Sequence, residues 1–287
     1  MDIQQKIKQT ISRLDILERL IAILVLIYVL PNLLIPFLFL FKGSLPSLLE
    51  YVQLSTDFSE LLIKPWTIIT YCFFHGSLGH IFWNMLLLYV AGKMMLNLFK
   101  KELLLNTFFI GVIAGGVFYV LSFNIFPVFY GVKSVLIGSS AGVMAVLVFM
   151  ASYMPNAPVR VFVFSIPIVY IALGFILMSY FLIPSTNSGG HLAHLGGAAW
   201  GYLYQRQYLK GNDIGGWFMG TFAKLKSLFS ASKRSKAPRR KRQTTSTKAT
   251  SGVNQKKIDA ILDKIADSGY ESLTKEEKEY LFRAGKE

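Results

Sequence analysis

Acidic side chains are almost absent from the middle of this chain. Between Leu61 and Asn212 the only one is Glu102. A paired-aspartate protease needs two carboxylates sharing a site, and a zinc protease of the H-E-x-x-H kind needs a glutamate between its histidines. Neither can be built here. A carrier that moves protons through buried Asp or Glu is disfavoured on the same ground, and no internal repeat of the kind carriers use is visible. Cysteine is scarce too: Cys72 stands alone, so no internal disulfide forms and the redox compartment stays open. Charge is thin overall, at 16% Asp, Glu, Lys and Arg in 287 residues, against about 25% in a soluble domain. No metal or cofactor is expected. Nothing near Met1 reads as a cleaved signal peptide, because the first apolar run is too long and no small-residue cleavage site follows it.

What fills the chain is apolar: 53% hydrophobic and 14% aromatic residues, with a mean hydropathy of +0.46. Several runs approach the ~20 residues a spanning helix needs. The expected fold is an all-α membrane protein. Six spans are predicted, at about 20–41, 78–98, 103–123, 136–154, 161–183 and 191–204. Residues 1–19 carry Ile3, Ile7, Ile11 and Leu14 at helical spacing, which fits an amphipathic helix on the inner face. The insert 42–65 is amphipathic, and Trp66 and Tyr71 beyond it fit the aromatic belt.

Charge is distributed unequally. The stretch 206–252 holds twelve Lys and Arg against one acid, Asp213. Lys6, Lys8, Arg13, Lys93, Lys100, Lys101 and Arg160 fall on the same side of the predicted spans, and only Lys42, Lys64 and Lys133 on the other. The positive-inside rule then puts both termini in the cytoplasm, with the basic tail facing an anionic lipid surface. A multi-pass protein of a prokaryotic cell membrane is expected, and no nucleic-acid partner. Residues 205–252 divide into an interfacial helix bearing Trp217, Phe218, Phe222, Leu225 and Phe229, and a disordered linker. Residues 253–287 read as a small cytoplasmic helical hairpin: Ile258, Ile261, Leu262 and Ile265 line one face, Gly269 closes it, and Thr274 to Glu277 is a capping box.

Polar residues inside membrane spans are costly and therefore functional candidates. Here they are four histidines, one asparagine and two serines, all near the outer ends of spans. His75 precedes the second span, and His80 and Asn84 lie one turn apart on it. Ser139 and Ser140 head the fourth span, and His191 and His194 the sixth. Gly138 and Gly142 leave a bare stripe on the fourth span, and Ala193, Gly197 and Gly201 another on the sixth. Two such faces pack backbone to backbone, which would carry His194 towards Ser140. An imidazole at hydrogen-bond distance activates a serine. No acid is available to orient it, so the pair would be a dyad, with His80, Asn84 and the Ser140 N–H as oxyanion donors.

Three motifs in order, His80-Ile81-Phe82-Trp83-Asn84, Gly138-Ser139-Ser140-Ala141 and Ala193-His194-Leu195-Gly196-Gly197 with Gly201, resemble those of the rhomboid intramembrane serine proteases. The resemblance spans the predicted core, 20–204, and implies a rhomboid-like six-helix bundle. It implies Ser140 as nucleophile rather than Ser139, His194 as general base rather than His191, and His80 with Asn84 in the oxyanion hole. His75, Trp66, His191 and Met144 are implied neighbours of the site. Substrates would be single-span membrane proteins cut near the outer face. Thr67 stands where the family usually has arginine, Met144 where tyrosine is common, Ala141 where glycine is usual, and Leu96 and Asn97 where an acid is common. An inactive relative that binds client helices is the alternative.

Overall fold

The fold is that of a computed structural model that describes residues 2–41, 49–161, 163–231 and 255–284. Most of the expected linker, 232–254, lies outside the described residues, as do Leu45 and Leu48 of the insert. The chain divides into two compact units, Met1–Lys233 and Arg234–Glu287.

In the first unit a short helix α1 (Ile3–Arg13) leads into α2 (Ile16–Leu40). The break between them follows from Asp15, a good N-cap residue. Its carboxylate accepts the Glu18 N–H at 2.9 Å, and its own N–H donates to Glu18 Oε2 at 2.9 Å. This reciprocal box satisfies two orphan donors and starts the helix at Ile16 rather than near Leu20. Pro31 and Pro36 lie within α2 without ending it. The same carboxylates hold Lys93 of α6 (Leu78–Leu98), at 2.6 Å from Asp15 and 2.8 Å from Glu18. Burial works to raise the Asp15 carboxyl, but hydrogen bonds from Lys93 and from the Glu18 N–H more than offset it, and the group sits below its ordinary 3.8. A depressed carboxylate stabilises the fold above its unfolded pKa and ceases to as pH falls through the folded value. Asp15→Asn keeps a capping side chain and is expected to cost no more than about 1 kcal/mol near neutral pH. That cost should vanish in strong acid, measured as the gap between the two thermal midpoints in detergent.

Between α2 and α6 the described insert contains α3 (Leu49–Val52), β1 (Leu54–Ser55), α4 (Phe58–Ile63) and α5 (Thr67–Thr70), then a 3-10 turn, Tyr71–Phe73. Tyr71 is not in an interfacial belt. It is fully buried, and its hydroxyl donates to the Val112 carbonyl at 2.7 Å. After α6 come α7 (Lys101–Ile125), β2 (Val135–Leu136) and α8 (Ser140–Tyr153), and β2 pairs antiparallel with β1. The fourth helix is therefore shorter than the expected 136–154, because its first residues are spent on that pairing. The turn at 155–160 is instead a hairpin of β3 (Pro158–Val161) and β4 (Phe164–Pro167), and α9 begins only at Ile168 and ends at Phe181. Then follow α10 (Ser188–Leu209) and α11 (Gly216–Ala231). The start of α11 does more than lie on a surface: Phe218 is buried and stacks on Phe109 of α7 at 5.9 Å, and the Met219 N–H donates to Asn106.

Among the described residues three helices, α2, α6 and α7, are long and apolar enough to cross a membrane by length and composition alone, and α8 and α9 are shorter apolar helices. Burial separates their roles. In the most apolar windows 67% of α7 is buried but only 6% of α2, so α7 is interior and α2 peripheral.

The core is where α7, α8 and α10 meet. Ala141 and Ala145 of α8 form an i, i+4 pair between two glycine pairs, Gly111 and Gly115 on α7 and Gly197 and Gly201 on α10. A Cβ added at Gly197 would overlap the Ala141 carbonyl oxygen, and one at Gly201 that of Ala145. On the other side, Cβ atoms at Gly111 and Gly115 would overlap the methyls of Ala145 and Ala141. This corrects the expected Gly138 and Gly142 stripe. Gly142 faces Phe108 of α7, and Gly138 precedes the helix. The α8 pair that meets α10 lies three residues further along, where the methyl of alanine still fits against glycine.

In the second unit, α12 (Gln255–Ser268) ends at Gly269, whose φ of +76° favours glycine and whose N–H donates to the Ile265 carbonyl at 2.9 Å. The helix α13 (Lys275–Ala284) opens with the expected box: Thr274 N–H donates to Glu277 at 2.8 Å and Thr274 Oγ accepts from the Glu277 N–H at 3.3 Å. Lys264 pairs with Glu277 at 3.0 Å and joins the two helices.

Candidate active site

Ser140 is the first residue of α8. Its position follows from the residues before it. Gly138 takes φ +121°, a conformation that L side chains rarely adopt, and its N–H donates to the Tyr71 carbonyl at 3.0 Å. Ser139, fully buried, donates to or accepts from His75 Nε2 at 3.0 Å. Ser139 is thereby occupied, whereas Ser140 is only half-buried and remains reachable. The first N–H groups of any helix lack partners within it and sit at its positive end. Ser140 stands at that end of α8.

His80 and Asn84 are on α6, whose N-cap Ser77 accepts the His80 N–H at 3.1 Å. His80 approaches Gly138 so closely that a Cβ there would lie 2.8 Å from its Nε2 and 3.8 Å from Ser140 Oγ. The His80 ring nitrogen and the Ser140 hydroxyl thus both border the position that a Gly138 side chain would fill. Asn84 is buried, and its Nδ2 donates to the His80 carbonyl at 2.8 Å, which uses one of its two hydrogens. His75 stands edge-on to His80 with ring centroids 5.1 Å apart. The first loop therefore buttresses the His80 ring.

His194 is on α10, one turn ahead of Gly197, the residue pressed against Ala141. A Cβ on Gly115 of α7 would overlap the Ala141 methyl and lie 2.7 Å from the Ala193 carbonyl. The neighbours of Ser140 and His194 are in this way packed around one point. No Ser140 to His194 hydrogen bond is made among the described residues. Apo hydrogen bonds of catalytic pairs are often long and tighten only on substrate. His191 packs edge-on against His194, with centroids 5.7 Å apart at 90°. The His194 Nδ1 is engaged by Ser179 Oγ of α9 at 3.1 Å.

Not every expected neighbour is in the cluster. Trp66 is half exposed and its indole donates to the Tyr51 carbonyl at 2.8 Å, so it anchors the insert. Thr67, in place of the usual arginine, donates to the Lys64 carbonyl at 2.7 Å. Met144 is buried in the core one turn after Ser140. Sequence reasoning passed over Ser179. The signal was there: it is the one serine of a helix otherwise made of apolar and tyrosine residues, and polar groups in such segments are functional candidates. Among the described residues no cluster of three or more His, Cys, Asp or Glu is placed to hold a metal ion.

A nucleophile at a helix N-terminus, a histidine with one nitrogen tied, and side-chain N–H donors on an adjacent helix are the parts that acyl transfer uses. Comparison with known families matches residues 63–211 to the Rhomboid domain, and residues 247–286 to a family of unknown function, DUF6576. No curated protein matches the chain. The domain match covers more than half of the 287 residues and contains every residue of this cluster. With its long apolar helices, the chain is an integral membrane protein and belongs to the Rhomboid family.

Proposed function

We propose that this chain is an intramembrane serine endopeptidase that cleaves single-span membrane proteins near the outer face, with Ser140 and His194 as its dyad. Family membership supports the class, since the Rhomboid family includes serine intramembrane proteases. The observation that carries the reading to these residues is the α8 to α10 contact. Gly197 meets the Ala141 backbone, so the helix bearing His194 runs against the helix that Ser140 opens.

In this reading Ser140 Oγ attacks the scissile carbonyl and its proton passes to His194 Nε2. The oxyanion accepts hydrogen bonds from His80, Asn84 and the Ser140 N–H. His194 then returns the proton to the leaving amine, leaving an acyl-enzyme. Water, deprotonated by the same imidazole, releases the carboxylate product and regenerates Ser140. A helical substrate must unwind locally to expose its carbonyl, which favours small or helix-breaking residues at the cut. The six-span arrangement with both termini cytoplasmic belongs to the same reading, with α8, α9 and α10 completing the bundle around α7. An anionic lipid surface at the basic tail is the proposed resting partner.

The test is cleavage of a panel of single-span proteins by the reconstituted protein. Undiminished cleavage after Ser140→Ala would sink the assignment. The rival reading, a non-catalytic binder of client helices, is favoured by one observation, the absence of a Ser140 to His194 hydrogen bond among the described residues. Labelling by a fluorophosphonate probe that requires both residues separates the two.

Gly138 gives a more local expectation. Gly138→Ala would force an L side chain into φ +121°, at a cost of about 1–3 kcal/mol. It would also press on His80. Cleavage should fall by about 10²-fold, the scale of losing one oxyanion donor, while most of the protein stays folded. A cleavage rate per folded molecule checks this, and an unchanged rate contradicts the placement of His80.

A further inference from the structure

A dyad without an acid leaves open what holds the histidine. We infer that Ser179 is the positioning residue for His194, standing where an acid would stand in a triad; this rests on the proposed dyad. Ser179 is fully buried in the last turn of α9, and its hydroxyl lies 3.1 Å from His194 Nδ1. That is the only hydrogen bond of the Ser179 hydroxyl among the described residues. A serine inside a helix ordinarily bonds back to the carbonyl one turn earlier. Here it reaches across to the next helix.

The function follows from what imidazole must do. To act as base, His194 presents a lone pair at Nε2 towards Ser140, so Nδ1 carries the hydrogen. Once Nε2 takes the serine proton, both ring nitrogens are donors and the ring is cationic. The Nδ1–H then needs an acceptor, and from Leu61 to Asn212 the chain has no carboxylate but Glu102, at the start of α7. A hydroxyl oxygen with two lone pairs is the neutral substitute. Ser179 also fixes the ring plane, and His191 packs edge-on against the same ring at 5.7 Å. Two contacts thus hold one imidazole: Ser179 of α9 at Nδ1 and the His191 ring of α10 edge-on.

The experiment compares wild type with Ser179→Ala, Ser179→Thr and Ser140→Ala, each reconstituted in liposomes with one cleavable substrate. Active sites are counted by fluorophosphonate labelling, and thermal midpoints are measured in detergent. Ser179→Ala should lower kcat about 10- to 100-fold, the scale of leaving one buried charged donor unpaired, with KM held. Ser179→Thr, which keeps the hydroxyl, should recover most of it. Rates are taken per folded molecule, so a lower midpoint alone does not count. Wild-type turnover in Ser179→Ala overturns the assignment, and so does a threonine variant as slow as the alanine one. If Ser140→Ala cleaves normally, the dyad itself is wrong. If Ser140→Ala is dead and Ser179→Ala is not, only the role of Ser179 is.

Discussion

Ser140→Ala and His194→Ala should each lower substrate cleavage by about 10⁴-fold or more, and the double variant should lose almost nothing further. Residues that act as one unit are not additive: once either is gone, the other has nothing to do. The residual rate should then come from the remaining donors, His80, Asn84 and the α8 N-terminus, which act without a nucleophile. The midpoint of thermal unfolding should scarcely move in Ser140→Ala, because Ser140 is half-buried at a helix start and makes no hydrogen bond that the fold depends on; His194→Ala should lower it, since the buried Ser179 hydroxyl loses its partner. Single-turnover cleavage in liposomes measures the effect. Losses that multiply in the double variant would mean that the two residues work separately.

The other large effect is structural. Gly197→Val should destabilise the protein by at least about 3 kcal/mol, the upper range for overpacking a core. The reason is what the new Cβ would meet: the Ala141 carbonyl oxygen, carbon and Cα, all backbone and none able to swing aside. The helices would have to part, and Ser140 and His194 would part with them. Gly174 is the control. It lies on the neighbouring α9 with nothing within 4 Å of its Cβ position, so Gly174→Ala should be neutral or stabilise by about 0.5–1 kcal/mol. Thermal unfolding in detergent reads both, and a Gly197→Val protein that melts with wild type would refute the close contact.

Much of this was readable from residues in order. The second span, 78–98, coincides with α6, since Ser77 caps one end and Phe99 and Lys100 close the other. The caps at Gly269 and Thr274 were also visible, because capping is a local matter of backbone and one side chain. What local pattern did not carry was pairing at a distance. The β1 to β2 ladder takes Leu136 out of the fourth helix, and its partner lies some eighty residues earlier in the chain. The small-residue face of α8 was misjudged by three positions for a related reason. Gly138 and Gly142 are the smaller residues, but which face meets α10 is settled by the three-way fit with α7. There Ala141 and Ala145 are the right size. Ser179 was missed because one serine in an apolar run acquires meaning only from the helix beside it.

The shortness of α8 has one more consequence. At 14 residues it is about 21 Å long, against about 30 Å of hydrocarbon. Were its far end, which leads into the β3 to β4 hairpin, level with one surface, its first residue would stop about 9 Å short of the opposite one. That shortfall equals about six residues of a substrate helix. In the proposed protease, α8 is therefore a ruler: the bond that reaches Ser140 is selected by its depth below the surface before its side chains are read. Two unrelated client sequences would be cut at the same height.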